Sequence, residues 1–256
     1  APATSRWENH YAGALSGGYN RCCRRLRKYK MTKLLIALVI IGIIAGAFYF
    51  EHQRGSGMAA VASKLGLAFQ SGQQRIPEQL EQADFDLFTQ GAPDVKNLMV
   101  GEAHGLPVSI FDYSYRALSA GEGGNGVPVA DDHQSMETRS QSVIWVRLGQ
   151  PLPDFDLSPS GIHNRTVAAR YGFNRVTFDA ARAFNDRYVL LARDAQRVRA
   201  LFSGEVRDYL LAHPDLVFEA RAGNTLFYRF EDRVDPSKIP AFLQQVQTLL
   251  GLLKSG

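Results

Sequence analysis

An uninterrupted apolar run near the start of the chain constrains the fold more than any other feature. Leu34–Phe50 reads LLIALVIIGIIAGAFYF, 17 residues without a charge. At a rise of about 1.5 Å per residue, a helix of this length, with help from Thr32 and the Lys33 stem, is just long enough to cross a hydrocarbon core of roughly 30 Å. Phe48, Tyr49 and Phe50 cluster at one end, as aromatic residues do at a membrane–water interface. The sequence therefore predicts one transmembrane helix over residues 31–50, with the lipid bilayer as its partner.

A cleavable signal peptide is the competing interpretation of the same run. Ala45-Gly46-Ala47 fits a small-x-small cleavage site after an 11-residue apolar stretch. The apolar run continues beyond that site through three aromatic residues, and this continuation favours a retained anchor over a cleaved signal.

The first 30 residues differ in composition from the rest of the chain. They contain seven Lys or Arg residues against the single acidic residue Glu8, and Met31 at their end resembles a natural start. We interpret residues 1–30 as a basic disordered tail or as a spurious extension. With Arg21–Lys30 counted, the positive-inside rule places the globular domain outside the cytoplasm. With a start at Met31 the charge balance is nearly neutral, so the side of the membrane is undetermined. The sequence predicts a single-pass membrane protein.

The charge of the remaining chain argues against nucleic-acid binding. Residues 51–256 have 21 basic and 24 acidic residues. A protein that neutralises several phosphates needs a concentrated basic face, which this segment lacks as a run. The only cysteines are Cys22 and Cys23, which precede the apolar run, so the globular part is neither a disulfide scaffold nor a Cys-ligated zinc module. We expect no cofactor and no metal.

Behind the anchor, the sequence predicts a polar linker over 51–57 and a globular domain over 58–256. Within that domain, a Gly-rich polar segment over 119–139 predicts a long flexible loop. The predicted helices are Met58–Leu67, Ile76–Phe88, Ala195–Ala212 and Ile239–Leu253, and the predicted strands are Asn97–His104, Pro107–Leu118, Gln141–Leu148, Arg175–Asp179, Tyr188–Arg193, Leu216–Arg221 and Leu226–Phe230, with Pro151–Phe155 as a rigid crossing segment and Phe184–Asp186 as a turn. Because this order lacks repeated βα alternation, the fold class is α+β, with a mainly antiparallel sheet and flanking helices behind one transmembrane helix.

Several short motifs also match a known pattern. They are Leu65-Gly66-Leu67 after an Ala-rich helix, Gly101, Gly105, Phe111-Asp112-Tyr113, Tyr115, Leu152-Pro153-Asp154-Phe155, Phe178, Phe184-Asn185-Asp186-Arg187-Tyr188 and the closing helices. Over about residues 57–254 the chain resembles the bacterial membrane-anchored family catalogued as domain of unknown function 3137. The resemblance implies a soluble domain anchored in the bacterial inner membrane and carries no known active site.

Candidate catalytic residues are few. Glu102 and His104 fall on the same side of a predicted strand, and Asp112 completes an acid–base cluster if the hairpin register brings it near. The alternative is that Glu102 and His104 lie on a solvated sheet face near a turn. Asp131-Asp132-His133 with Glu137 offers oxygen ligands for a hard cation but lacks EF-hand spacing, so a solvated charge cluster is favoured there.

Three functions follow from these observations. The first is a non-catalytic interaction or scaffold domain tethered at the bacterial envelope. The second is a membrane-tethered hydrolase that uses Glu102, His104 and Asp112. The third is a lipid or small-ligand binding domain in which aromatic side chains such as Phe111 and Trp145 line a pocket.

Overall fold

The computed structural model describes residues 12–89, 93–118, 136–162 and 170–255, with residues 12–32 as backbone only. The chain forms two compact units, Ala1–Gln53 and Arg54–Gly256. The predicted loop over 119–139 falls largely on residues outside this description, and its last residues, from Met136, already belong to a strand.

Helix α1 covers Ala12–Leu65 and contains the apolar run. The large apolar side chains of Leu34–Phe50 are between 50% and 74% exposed within the protein. The segment Lys33–Leu65 is the one helix of the described residues with the length and composition to cross a membrane. Residues 51–57, predicted as a linker, have a helical backbone. The prediction failed there because two glycines weaken a helix by only about 1 kcal/mol each.

The C-terminus of α1 is fixed by a glycine. Gly66 has φ +70°, in the left-handed region that a residue without Cβ adopts without strain. The Gly66 amide donates to the Ser63 carbonyl at 3.3 Å, and the Leu67 amide donates to the Ala62 carbonyl at 2.9 Å. This pair of bonds is a Schellman motif. The helix predicted over Met58–Leu67 therefore ends at Leu65, and its residues continue the helix that contains the apolar run.

The described residues of the second unit contain one sheet of nine strands, and all its described strand pairs are antiparallel. The spatial order is β1-β2-β3-β4-β9-β8-β5-β7-β6. The strands are β1 Ala68–Gln74, β2 Asp94–Ala103, β3 Leu106–Leu118, β4 Met136–Arg147, β5 Phe155–Pro159, β6 Asn174–Val176, β7 Tyr188–Ala192, β8 Leu216–Arg221 and β9 Asn224–Arg229. The predicted α+β class with an antiparallel sheet is confirmed.

Two hairpins have the same two-residue turn. His104 and Gly105, which join β2 to β3, both have positive φ, 53° and 75°. Ala222 and Gly223, which join β8 to β9, also have positive φ, 47° and 79°. Turns of this kind match the twist of the flanking strands. The four strands that these turns join were predicted, with some boundaries shifted by one to three residues.

The remaining helices are short except for the last one. They are α2 Glu78–Gln82, α3 Arg182–Arg187, α4 Ala195–Leu201, α5 Gly204–Ala212 and α6 Ile239–Ser255, with 3-10 turns over Asp86–Thr89 and Pro236–Lys238. The single helix predicted over 195–212 is wrong, because the Ser203 hydroxyl caps a new helix by accepting from the Val206 amide at 3.4 Å. The turn predicted at 184–186 lies inside α3. The helix predicted over Ile76–Phe88 is shorter and ends in a 3-10 turn.

Strands β1 and β5 were not predicted. Strand β1 is a polar edge strand that is mostly exposed, so its sequence lacks an apolar alternation. Strand β5 follows the crossing segment and ends in a proline. Both strands are too short or too polar for the periodicity that identifies a strand.

The sheet separates two cores. On β3, Val108 and Ile110 belong to the larger core, whereas Phe111, Tyr113 and Tyr115 belong to a second, aromatic core. Because successive strand residues point to opposite faces, the cores lie on the two faces of the sheet. The end of α1 and helices α3–α6 contribute to the larger core. Leu80, Phe85 and Leu87, from α2 and the turn after it, contribute to the second.

Candidate functional site

The structure does not assemble the acid–base cluster suggested by the sequence. Glu102 and His104 are exposed at the turn end of the β2–β3 hairpin. Asp112 is paired in register with Lys96. Lys96 and Glu102 are separated by six steps along β2, roughly 20 Å at about 3.3 Å per residue. Glu102 and His104 therefore match the alternative interpretation, a solvated position beside a turn.

Asp112 is buried and instead belongs to a polar network that includes Arg54, in the last turns of α1. Its carboxylate accepts two hydrogen bonds from the Arg54 guanidinium, at 2.7 and 2.6 Å. It also accepts from Asn97 Nδ2 at 2.9 Å, from the Ser142 hydroxyl at 3.0 Å and from Arg233 at 3.4 Å. Burial raises the pKa of Asp112, but the hydrogen bonds and charge of Arg54, with Asn97 and Arg233, outweigh it and hold the pKa below its usual value. The network fastens the last turns of α1 to the sheet.

The other residues suggested by the sequence do not form a site in the described structure. Residues 131–133 lie outside the described residues, and Glu137 is exposed on β4. Phe111 and Trp145, suggested as pocket walls, are packed inside the second core. The Trp145 indole donates to the Asn224 side chain at 3.1 Å. They therefore stabilise the sheet and do not line the cavity described next.

A cavity of about 370 Å³ lies on the face of the sheet that carries the second core. Its wall combines four carboxyl groups with one arginine and several aromatic rings. The lining residues are Asp86, Leu87, Tyr115, Arg139, Asp156, Ser158, Gly161, Ile162, Val217, Glu219, Tyr228, Phe230 and Glu231. None of the candidate residues suggested by the sequence belongs to this set.

Three neighbouring strands place the central groups of the cavity. Asp156 on β5 lies directly opposite Glu219 on β8. Cross-strand partners have Cβ atoms about 5 Å apart on the same face, so two carboxyl groups at such positions repel each other when both are ionised. The hydroxyl of Tyr228 on β9 donates a hydrogen bond to Glu219 Oε1 at 2.7 Å. Ser158, two residues along β5, donates to Asp156 Oδ1 at 3.5 Å.

Glu219 is a buried acid of the cavity with a raised pKa. It is 1% exposed, and its Oε2 atom accepts no hydrogen bond from the described residues. Burial, and next the charge of Asp156, raise the pKa of Glu219 to about 8, while the Tyr228 hydroxyl and Arg221 act in the opposite direction. Glu219 consequently holds a proton at neutral pH. Burial and the neighbouring carboxyls of Glu219 and Asp156 also raise the pKa of Tyr228 well above its usual value.

The two arginines near the cavity contact aromatic rings, but Arg139 Nε and Arg221 Nε and Nη2 are buried without a hydrogen-bond acceptor among the described residues. Arg139 contacts Glu231 at 2.9 Å and lies 5.5 Å from the centre of the Phe230 ring. Arg221 lies 3.4 Å from the centre of the Tyr171 ring. Cations over aromatic faces at such distances are attracted by the ring quadrupole. Neither arginine forms an ion pair with Glu219 among the described residues.

This arrangement can hold a proton or a cation between facing carboxyls. Among the described residues, no three His, Cys, Asp or Glu side chains are grouped for metal binding. Burial and the charge of Asp156 raise the pKa of Glu219, so this carboxyl is suited to keeping its proton. Two features of the sequence mark this pair. Asp156 and Ser158 alternate with apolar residues, and Glu219 falls in the middle of a predicted strand.

Comparison with known proteins shows a likeness of fold. No known family and no curated protein matches the chain. The crystal structure of the mycobacterial trehalose monomycolate transport factor A is similar, with a TM-score of 0.53 and 14% identity. The alignment covers 78% of this chain and 93% of that one. The fold is thus shared with a mycobacterial transport factor over nearly the whole of its structure.

Proposed function

We propose that this protein is a single-pass membrane-anchored accessory domain of the bacterial envelope, which acts by binding and not by catalysis. The observation that carries the proposal is the exposed apolar stretch of α1, followed in the same chain by a compact folded unit. An anchored domain of this design works where its partners are, at a membrane surface. The similar fold of a transport factor supports an accessory role beside a membrane transport system.

The apolar stretch supports anchoring because it is apolar on every side of the helix. Leu34, Leu35, Ile36 and Ile44 point in four different directions around α1, at about 100° per residue, and each is at least half exposed. A helix that is hydrophobic all round is stable only in an apolar environment. A bilayer supplies that environment, and the stretch is long enough to cross it.

The surroundings of the candidate catalytic residues support binding over catalysis. A hydrolase that uses Glu102, His104 and Asp112 needs the three side chains within hydrogen-bond reach of one substrate. The structure separates Asp112 from the other two and commits it to Arg54. Membership of the anchored family catalogued as domain of unknown function 3137 is part of the same proposal and rests on the sequence motifs alone.

Membrane fractionation tests the anchor. We expect the full-length protein in the membrane fraction, released by detergent and not by high salt. The double substitution Leu38→Arg and Ile41→Arg should move it to the soluble fraction, since each central arginine opposes insertion by roughly 3 kcal/mol. The matched control, Leu38→Phe and Ile41→Phe, should stay in the membrane.

The mature mass decides between anchor and signal peptide. A mature protein cleaved after Ala47 and recovered as soluble would contradict the proposal. A phosphatase active only outside the cytoplasm, or a fluorescent protein, fused after Gly256 then reports the side of the membrane. Phosphatase activity places the partners in the envelope outside the cytoplasm, and fluorescence alone contradicts that placement.

A further inference from the structure

The wall of the cavity has an excess of negative charge. Asp86, Asp156, Glu219 and Glu231 line it, and Arg139 is the basic residue among the lining groups. The Arg139 guanidinium is engaged with Glu231 at 2.9 Å. A cavity lined in this way attracts a cation and repels an anion, and its low-dielectric walls strengthen the effect.

Glu219 supplies an open hydrogen-bond acceptor in this wall. Its side chain is almost completely buried, lines the cavity, and has one oxygen, Oε2, without a hydrogen-bond donor among the described residues. The Tyr228 hydroxyl, on the neighbouring strand β9, already donates its hydrogen bond to Oε1 of the same carboxyl. A buried carboxyl oxygen without a donor is costly, and a ligand that brings an N–H group removes the cost.

The size of the cavity limits the ligand. A volume of about 370 Å³ lies at the small end of the range for ligand pockets. The Tyr115 ring also lines the wall, where it offers an apolar and weakly negative face. The complement of this wall is a small organic molecule with a positive charge, several N–H donors and a short carbon skeleton.

We propose that this cavity binds a small organic cation carrying a primary ammonium group, with Glu219 Oε2 and the facing Asp156 carboxyl as its acceptors. The ammonium takes the place of the proton that Glu219 holds in the empty cavity. An ammonium group of this kind belongs either to a free amine or to an aminated lipid headgroup, and the chemistry of recognition is the same for both.

Binding is coupled to the protonation of Glu219. The groups that face or surround this carboxyl are Asp156, Tyr228, Arg221 and Asp86, and of these only Arg221 is basic. Because the cation replaces a proton, binding should release protons and tighten as the pH rises from 6 to 8. An increase in affinity of about tenfold or more is expected over that interval.

Calorimetry on the detergent-solubilised full-length protein tests the proposal. The first probe is ethanolamine, and its control is 1-propanol, which has a methyl group in place of the ammonium. We expect saturable binding of ethanolamine and none of 1-propanol. Titration in two buffers of different ionisation enthalpy measures the released protons. Equal binding of both probes, or binding of ethanolamine without proton release, would overturn the proposal.

Variants locate the site. Glu219→Gln should weaken ethanolamine binding by about tenfold or more, because a charge-assisted hydrogen bond is lost. Glu102→Gln, the same chemical change at an exposed position, should leave the affinity unchanged. If Glu219→Gln does not fold, the site is tested instead with Asp156→Asn and with the proton release of the unaltered protein. An unchanged affinity in a folded Glu219→Gln or Asp156→Asn variant would contradict the site.

A soluble short-chain phosphatidylethanolamine separates the two sources of the ammonium. It is compared with a phosphatidylglycerol of the same chain length. Binding of the free amine but not of the lipid identifies a free amine, and preferential binding of the phosphatidylethanolamine identifies a headgroup. Absence of binding for both amine probes refutes the proposal.

Discussion

Asp112 and Glu219 are both buried carboxyls of one sheet, yet their surroundings are opposite. Asp112 lies on the face covered by α1 and accepts hydrogen bonds from two arginines, an asparagine and a serine. Glu219 lies on the other face, opposite a second acid, and one of its oxygens has no donor among the described residues. Burial disfavours the charged form in both cases, and the partners decide whether that form survives.

The difference separates a structural role from a binding role. The Asp112 carboxylate is fully surrounded by protein donors, so it has little capacity left for a ligand and instead holds α1 on the sheet. Glu219 borders a cavity and keeps an open acceptor. Residues with such perturbed surroundings in a cleft are candidates for function on physical grounds.

The largest effect should come from breaking the network around Asp112. Asp112→Asn removes the carboxylate charge and leaves the Arg54 guanidinium, in the last turns of α1, without its partner. We expect a loss of about 3 kcal/mol in the free energy of unfolding of the second unit at pH 7, as for other buried pairs that lose one partner. Urea denaturation of the detergent-solubilised protein, followed by Trp145 fluorescence, measures it. Glu102→Gln is the control, and an equal stability of the two variants would contradict the role of the network.

The deficit of Asp112→Asn should depend on pH in a definite direction. The pKa of Asp112 is lowered in the folded protein, so its ionised form contributes stability above the ordinary pKa of 3.8. That contribution is lost as the pH falls below 3.8 through the folded pKa. The difference between the variant and the unaltered protein should therefore shrink in acid.

The next largest effect is expected at Glu219, where a substitution should increase the stability at high pH. The folded pKa of Glu219 is raised from 4.5 to about 8, so the folded protein binds more protons than the unfolded chain between these values, and stability falls as the pH rises. Glu219→Gln removes this loss. We expect the variant to be more stable by about 1–3 kcal/mol at pH 9 and nearly unchanged below pH 4.5. A thermal melt at both pH values measures this, and a variant destabilised at pH 9 would refute the account.

A smaller effect is expected at the hydrogen bond between Tyr228 and Glu219. Tyr228→Phe removes the only described donor to Glu219 Oε1. The free energy of unfolding should fall by about 1 kcal/mol, a value typical of one buried hydrogen bond. The pKa of Glu219 should rise further, because the Tyr228 hydroxyl lowers it. A pH series of unfolding midpoints detects both changes, and a midpoint series identical to that of the unaltered protein would argue against this bond.

The smallest effect is expected at the turn where the sequence placed its catalytic candidates. Glu102→Gln and His104→Asn should each change the free energy of unfolding by less than about 0.5 kcal/mol, as exposed positions do. Asparagine accepts the positive φ of 53° at His104. Both variants should also bind ethanolamine like the unaltered protein. A strong loss of binding in either variant would restore the turn as a candidate site.

Local signals explain what the sequence predicted correctly. The end of α1 is encoded by Gly66, and the two hairpins by Gly105 and Gly223, since these positions need positive φ. The alternation along β3 matches its two faces, because a strand repeats every two residues. Each of these features depends on residues that are neighbours in the chain.

The site depends on contacts that are distant in the chain. Asp156 meets Glu219 only because β5 lies next to β8 in the sheet, and this order is not encoded in either strand alone. Asp112 was singled out as a reactive residue, but the hairpin register places it opposite Lys96 and away from Glu102. The network from Arg54 joins residues of α1 to strands that no local pattern connects to it.

The most direct test of this contrast is a carboxyl titration of the full-length protein by carbon NMR with labelled Glu and Asp side chains. We expect one Glu signal, absent from the Glu219→Gln variant, to titrate near pH 8. We also expect one Asp signal, absent from Asp112→Asn, to stay ionised below pH 3.8. If the Glu219 signal titrates near 4.5 like an exposed glutamate, the cavity does not hold a protonated acid, and the account of the two faces is contradicted.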